Sequence, residues 1–299
     1  MRLHRPVSNY LERRLETTLY GELGSEDLFL APPGEPALVP ADGLTAEIYS
    51  LPLTVFIGGI AAVILELAEP RVRHGVWDHS IFPTDPLLRL RRTGLAAMIT
   101  FYGARSVAKD MIAGINQRHT QVAGITSGGE AYRADDPELL KWVQATAAFG
   151  FTKAYARYVR PLGLEGWEQA MTEAVPVAKA YGVDEPPRSR PDIERLFGRM
   201  VHRLEPSETL STFLNIMRKT PALPPPGLLF QPLFVRAAVD LLPMPIRRRL
   251  DLIDSGLTNP QRVLVRALAR GSQRVSLRNH PANLQRQRLG FDANNKKAR

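Results

Sequence analysis

Residues 51–93 read LPLTVFIGGIAAVILELAEPRVRHGVWDHSIFPTDPLLRLRRT. The stretch opens as an almost uncharged apolar run and closes, after an Asp-Pro break, with Arg89, Arg91, Arg92 and Thr93 inside five residues. Leu51–Leu65 is fifteen residues long, short of the ~20 that span a bilayer, and Gly58-Gly59 with the charges from Glu66 onward favours a buried core helix. The two glycines allow close approach of a second helix or of a flat ligand, or else mark a bend. At the break, Asp85 can cap free amides and Pro86 suits the first helical position, so a second helix is expected from there. On it Arg89, Arg92, Thr93, Ala96 and Thr100 share a narrow face, with Leu87, Leu90, Met98 and Phe101 on the other side. Cations near a helix N-terminus oppose its dipole, so either an anion stands opposite Arg89 and Arg92 or the face is a solvated one. Under the first reading Arg89 and Thr93 face the interior.

Outward from this stretch, residues 1–22 read as an amphipathic helix. Gly24 to Gly43, with four prolines, reads as an irregular connection. On the other side, Ala104 to Val122 is expected to be helical, with Ile112, Ile115, His119 and Val122 within about 80° of one another. His119 is thus carried on an apolar stripe, as a hydrogen-bonded core residue or as a ligand. A Gly- and Ser-rich loop, Gly124 to Asp136, ends in a second Asp-Pro cap. A long helix from Pro137 to about Val159 should follow, carrying Leu139, Trp142, Val143, Phe149 and Tyr155. Helices are further expected over Gly163–Tyr181, Pro191–Arg203, Leu228–Leu242 and Arg247–Ser255, with PALPPPG (221–227) as a stiff linker. No stretch alternates with period two, so the expected fold is all-α: a single large multi-helical orthogonal bundle enclosing a cofactor pocket. Its expected span is residues 46–285, preceded by an N-terminal helix and connection (1–45) and followed by a disordered basic tail (286–299).

The chain has 299 residues, 44% hydrophobic and 23% charged, ordinary for a globular protein, and no cysteine. Disulfides, zinc–thiolate and iron–sulfur sites and thiol nucleophiles are therefore excluded. The N-terminus lacks an apolar run with a small-residue cleavage site, so a cytoplasmic location is expected. Residues 236–299 hold 14 Lys and Arg against 4 Asp and Glu, a net of +10, which leaves −1 for residues 1–235 out of the chain's +9. Arg262, Arg266, Arg270, Arg274 and Arg278 recur every four residues with Val263, Leu264, Leu268 and Val275 between them. Such a strip can rest on an anionic membrane, where peripheral contact is expected, or simply be solvated.

No Gly-x-Gly-x-x-Gly, Walker loop, Gly-x-Ser-x-Gly elbow or His-Glu-x-x-His pair occurs. No two of the six histidines share an i,i+4 turn. What is left is one core-facing histidine, His119, beside an arginine pair, Arg89 and Arg92, amid apolar helices. Those are the parts of a haem pocket, an axial imidazole with cations for two propionates.

The segments LELAEPRVRHGVWDHSIFPTDPLLRLRRT, INQRHTQVAG and YRADDPELLKWVQAT, taken in order, resemble the family of the bacterial latex clearing protein (rubber oxygenase) and the fungal MpaB oxygenase. The match runs from about Leu51 to Pro161 and more loosely onward. The resemblance implies an all-helical oxygenase, and from latex clearing protein a haem b cofactor (iron), acting with O2 on an apolar, isoprenoid-like substrate; no nucleic acid is expected as a partner. By position it makes His119 the proximal, metal-binding ligand and matches Arg89 and Thr93 to an Arg-x-x-x-Thr element. With Arg92 these two are the residues expected to serve catalysis, and Arg89 and Arg92 also to bind the cofactor. Arg92 stands where latex clearing protein has a lysine that can ligate iron; an arginine does not deprotonate, so a propionate or O2 contact is implied for it instead. Glu69 and Gln144 stand where many relatives have histidine. The rival reading is a non-catalytic helical protein whose basic C-terminal region docks on membrane or nucleic acid.

Overall fold

The computed structural model describes residues 26–273 and 279–291; the expected N-terminal helix over residues 1–22 and Arg274 and Arg278 of the basic strip lie outside the described residues. Two short helices, α1 (Asp27–Leu30) and α2 (Leu44–Tyr49), lead into α3 (Pro52–Ala68), α4 (Pro70–Trp77), α5 (Pro86–Tyr102) and α6 (Arg105–His119). Both Asp-Pro signals act as caps: Asp85 accepts from the Leu88 amide at 3.0 Å, and Asp136 from the Glu138 and Leu139 amides at 2.8 and 3.1 Å. After a short hairpin come α7 (Pro137–Tyr158), α8 (Leu164–Glu173), α9 (Val175–Ala180), α10 (Arg190–Met200) and α11 (Glu208–Lys219). The chain continues through α12 (Gln231–Leu241), α13 (Met244–Arg249), α14 (Asn259–Ser272) and α15 (Pro281–Arg288). The fold is all-α.

The hairpin replaces the expected plain loop. Strands β1 (Ala123–Ile125) and β2 (Ala131–Arg133) pair antiparallel with Gly124 opposite Tyr132. A Cβ at Gly124 would lie 2.6 Å from the Tyr132 hydroxyl, so the glycine is what lets the ring lie across the strand, and Gly129 takes φ +83° at the turn. Three residues per strand are too few for a period-two pattern to show in sequence. Helix α11 also went unread; its Leu210, Phe213, Leu214 and Met217 are buried at i, i+3, i+4 and i+7, and Ser207 caps it. The proline-rich 221–227 segment is no boundary, because the buried Gln231 amide donates to Met217 O at 2.7 Å and accepts from the Ala222 amide at 3.1 Å, tying its two ends together.

Helices α3 and α7 form the axis of the molecule and pack along each other. Ile57, Ala61, Ile64, Leu65 and Ala68 are fully buried on α3, and Trp142, Tyr155 and Tyr158 on α7; each large side chain contributes about 1.5–3 kcal/mol. Their polar tips are satisfied: Trp142 Nε1 donates to Leu65 O (3.3 Å) and the Tyr158 hydroxyl to Ala237 O (3.0 Å) on α12. Contact between the two axes is glycine on glycine. A Cβ at Gly58 would lie 2.7 Å from the Gly150 carbonyl oxygen. No single described helix is long and apolar enough to cross a membrane, and α3 turns into α4 through 112°.

The basic helix α14 lies the other way round from a simple surface strip. Arg262 pairs with Asp240 of α12 through two contacts of 2.9 and 2.8 Å, and Arg270 Nε donates to Val159 O at 3.0 Å. Val263 and Leu264 face outward instead, at 66% and 42% exposure. Two arginines of the strip are thus engaged by the body of the protein.

Residues 286–288, expected to begin the disordered tail, are helical in α15, with Arg286 and Gln287 exposed and Arg288 buried. Arg288 donates from Nε to Glu35 O at 2.8 Å. At its N-cap, His280 is buried, accepts from the Ala282 amide at 3.2 Å and meets Tyr102 edge-on at 5.8 Å. Burial pushes its pKa down to about 4, against ~6.5 in an unfolded chain. Between those values the unfolded chain binds the extra proton, so this contribution to stability is complete above about pH 6.5 and is lost as pH falls toward 4, a change of roughly 3 kcal/mol. Urea midpoints should decline across that window in the wild type and less steeply in His280→Gln; equal slopes would reject the assignment.

Candidate active site

Three helices bring one group each to a common place. Glu66 comes from the last turn of α3, Arg89 from the first turns of α5, and His119 is the last residue of α6. The Arg89 guanidinium is half-buried, and its charge acts on both Glu66 and His119. Burial lowers the pKa of Arg89, the Glu66 carboxyl opposes that, and the nearby Arg92 adds to it. Thr93 holds the guanidinium: its hydroxyl accepts from Arg89 Nη1 at 2.9 Å and donates to Arg89 O at 2.8 Å.

His119 is half-buried, and its Nδ1 is buried without a hydrogen-bond partner among the described residues. Its pKa is lowered by burial first and by the charges of Arg118 and Arg89, against the pull of Asp135. At neutral pH the ring is therefore uncharged and keeps a lone pair. The Asp135 carboxylate is near but occupied by Arg133, which holds both its oxygens at 2.9 Å. The backing carbonyl or carboxylate expected of an axial imidazole is thus not in place.

Glu66 was absent from the sequence-derived set. Burial raises its carboxyl to about pKa 7, opposed by the Thr146 hydroxyl and by Arg89. Thr146 Oγ1 lies 3.2 Å from Glu66 Oε1 and 2.8 Å from Val143 O, and its single proton can serve one of them. Protonated Glu66 can donate to Thr146 while Thr146 donates to Val143. A carboxyl that is half ionised near neutrality is suited to take and return a proton. The signal was present in the sequence, since Glu66 is the single charged residue of α3.

The surroundings are apolar and incompletely covered. On α3, Phe56, Gly59, Val63 and Glu66 fall on one face and are all partly exposed in an otherwise buried helix. Met111, Ile115 and His119 do the same on α6. Helix α3 packs along α7 and α12 and makes no extended contact with α5 or α6 among the described residues.

Arg92 and Thr93 are exposed rather than interior, at the outer end of a face whose Thr100 is buried, and both act on Arg89 from the rim. Glu69 is fully buried: it caps α4 by accepting from the Val72 amide at 2.8 Å and pairs with Arg71 at 2.8 Å and Arg203 at 3.4 Å. Gln144 lines a small cavity of about 40 Å³ with Tyr49 and Phe101.

Residues 47–274, 228 of the 299, match the family described as ER-bound oxygenase mpaB/B'/rubber oxygenase, catalytic domain. The chain belongs to the mpaB/rubber oxygenase family. The match takes in every helix that contributes to the cluster, from α3 to α7. No curated protein and no solved structure matches the chain. Membership in this oxygenase family makes the chain an oxidoreductase. Among the described residues no three or more His, Asp or Glu are grouped to hold a metal ion through side chains alone.

Proposed function

We propose that this mpaB/rubber oxygenase family member is a haem-dependent oxygenase, in which His119 would hold the iron of haem b, with an apolar, isoprenoid-like molecule and O2 as substrates. The observation that carries the reading is the buried, unpartnered Nδ1 of His119, on a partly exposed apolar face of α6 and within the field of the Arg89 charge. An imidazole without a hydrogen bond is an uncompensated buried group, and a bond to iron compensates it. The residues present fit the group. Haem bound there supplies the activation of O2.

The chain's own residues then divide the remaining tasks. Arg89 offers its charge to a carboxylate, since the Glu66 opposite it is only partly ionised near neutral pH. Thr93 keeps that guanidinium oriented, and Arg92 adds positive charge at the rim. Glu66 accepts or returns a proton at its carboxyl, backed by Thr146. The apolar faces of α3 and α6 hold the substrate and exclude water. The docking-protein reading has less support, since Arg262 and Arg270 are bonded to the body of the fold.

The test is an absorption spectrum of purified protein before and after hemin is added. A Soret band that persists through desalting supports the proposal, and protein that stays colourless with excess hemin ends it. In turnover, the wild-type rate should show an inflection near pH 7, carried by Glu66. Glu66→Gln should lose that inflection while keeping the Soret band; an unchanged profile would remove Glu66 from the proton path.

A further inference from the structure

We propose that a cleft of about 520 Å³ between α7, α8, α10 and α12 binds a second class of ligand, an amphipathic carboxylic acid with an apolar chain. The cleft lies apart from Glu66, Arg89 and His119, none of which lines it, and the inference does not depend on the function proposed for them. Its volume is within the ~300–1,000 Å³ of small-molecule sites.

The apolar part is built by Phe149, Trp167, Ile193, Phe197, Leu241 and Ile246. These give an acyl or terpenoid chain an aromatic and aliphatic surface from five helices. The polar part is cationic. Lys153 and Arg157 follow Phe149 at four-residue steps along α7, and Arg190 faces them from the start of α10. Like charges one turn apart on a helix repel, so the sequence accepts a penalty to place both here.

Two carboxylates share this lining, and both are engaged. Glu194 is 2.7 Å from Arg190. Asp240 is held at 2.8 Å by Arg262 and at 3.5 Å by Arg247, and reaches Arg157 only at 4.0 Å. Lys153 is half-buried and has neither an ion pair nor a hydrogen bond among the described residues. Burial and the charges of Arg190 and Arg157 lower its pKa, with Glu194 alone opposing. An ammonium so placed gains from an incoming anion. With Glu194 taken up by Arg190 and Asp240 by Arg262 and Arg247, Lys153 is left as the cation of this lining for an incoming carboxylate.

Gly198 gives a way to close the cleft without disturbing the fold. It lines the cleft, and a Cβ there meets nothing within 4 Å. Leucine at that position fills open space and also favours the helix.

The experiment is a fluorescence titration of the full chain with 11-(dansylamino)undecanoic acid and with its methyl ester. The acid should bind, and the ester at least about tenfold more weakly, as should the acid to Lys153→Met, since each removes one partner of a charge-assisted contact. Lys153→Arg should stay within a few-fold of wild type, Gly198→Leu should abolish binding, and His119→Ala should leave it unchanged. The proposal is overturned by absence of binding, by an ester that binds as well as the acid, or by Lys153→Met matching wild type. Loss of binding in His119→Ala with retention in Gly198→Leu would overturn it too, by placing the ligand at the oxygenase site.

Discussion

His119→Ala should abolish the proposed haem retention and leave the helical content of the protein intact. Two features of the residue separate these effects. The imidazole makes no hydrogen bond among the described residues, so its removal orphans no partner. It also ends α6 and is only half-buried, so truncation leaves a small void at a helix end; alanine there is a good helix former. The expected change in unfolding free energy is within about 1 kcal/mol. Hemin affinity, by contrast, should fall by more than about 100-fold, the upper range for losing a mere supporting partner of a metal ligand. Hemin titration followed in the Soret region, with circular dichroism on the same samples, measures both. Added imidazole should restore part of the band. A variant with the wild-type spectrum would mean that iron is held elsewhere or not at all.

The second large effect is on the fold. A methyl group at Gly58 meets the Gly150 carbonyl oxygen at 2.7 Å and the Phe151 Cα at 2.8 Å, and one at Gly150 meets the Gly58 carbonyl closer still. Every atom in these clashes is backbone, so no rotamer can relieve them and α3 must part from α7. Gly58→Ala and Gly150→Ala should each destabilise by about 3 kcal/mol or more, lowering Tm by on the order of 5–10 °C. Gly59→Ala is the control. Its Cβ would sit 3.6 Å from the Phe151 ring, an ordinary contact, and alanine gains up to about 1 kcal/mol of helix propensity. Thermal melts of the three variants decide it: if Gly58→Ala melts with the wild type, the helices are not as close as described.

What could be read in the sequence was whatever local chemistry dictates. The Asp85-Pro86 and Asp136-Pro137 caps need only a carboxylate and three following residues, and both appear where expected. The long α7 with Leu139, Trp142, Phe149 and Tyr155 buried follows from spacing alone. Closeness of Gly58 to another helix was open as one of several readings, and its partner Gly150 was not identifiable, because that pairing spans almost a hundred residues. On the face of α5, periodicity groups Arg89 with Arg92 and Thr93 but does not say which of them the rest of the fold covers: Arg89 is half-buried and the other two are exposed. Glu66 was hidden by its position, at the point where an apolar run ends; its carboxyl matters because Thr146, from α7, lies 3.2 Å from it and the Arg89 charge acts on it.

The buried acid Glu69 ties three positions together. It faces Arg71 and Arg203 inside the fold, and Arg71 in turn holds Glu138 at 2.8 Å while Arg203 also contacts Glu130. Replacing Glu69 alone by an uncharged residue removes the fully buried carboxylate that these two guanidiniums share, a loss of about 3–5 kcal/mol. The cost of changing any one of the three therefore depends on what stands at the other two.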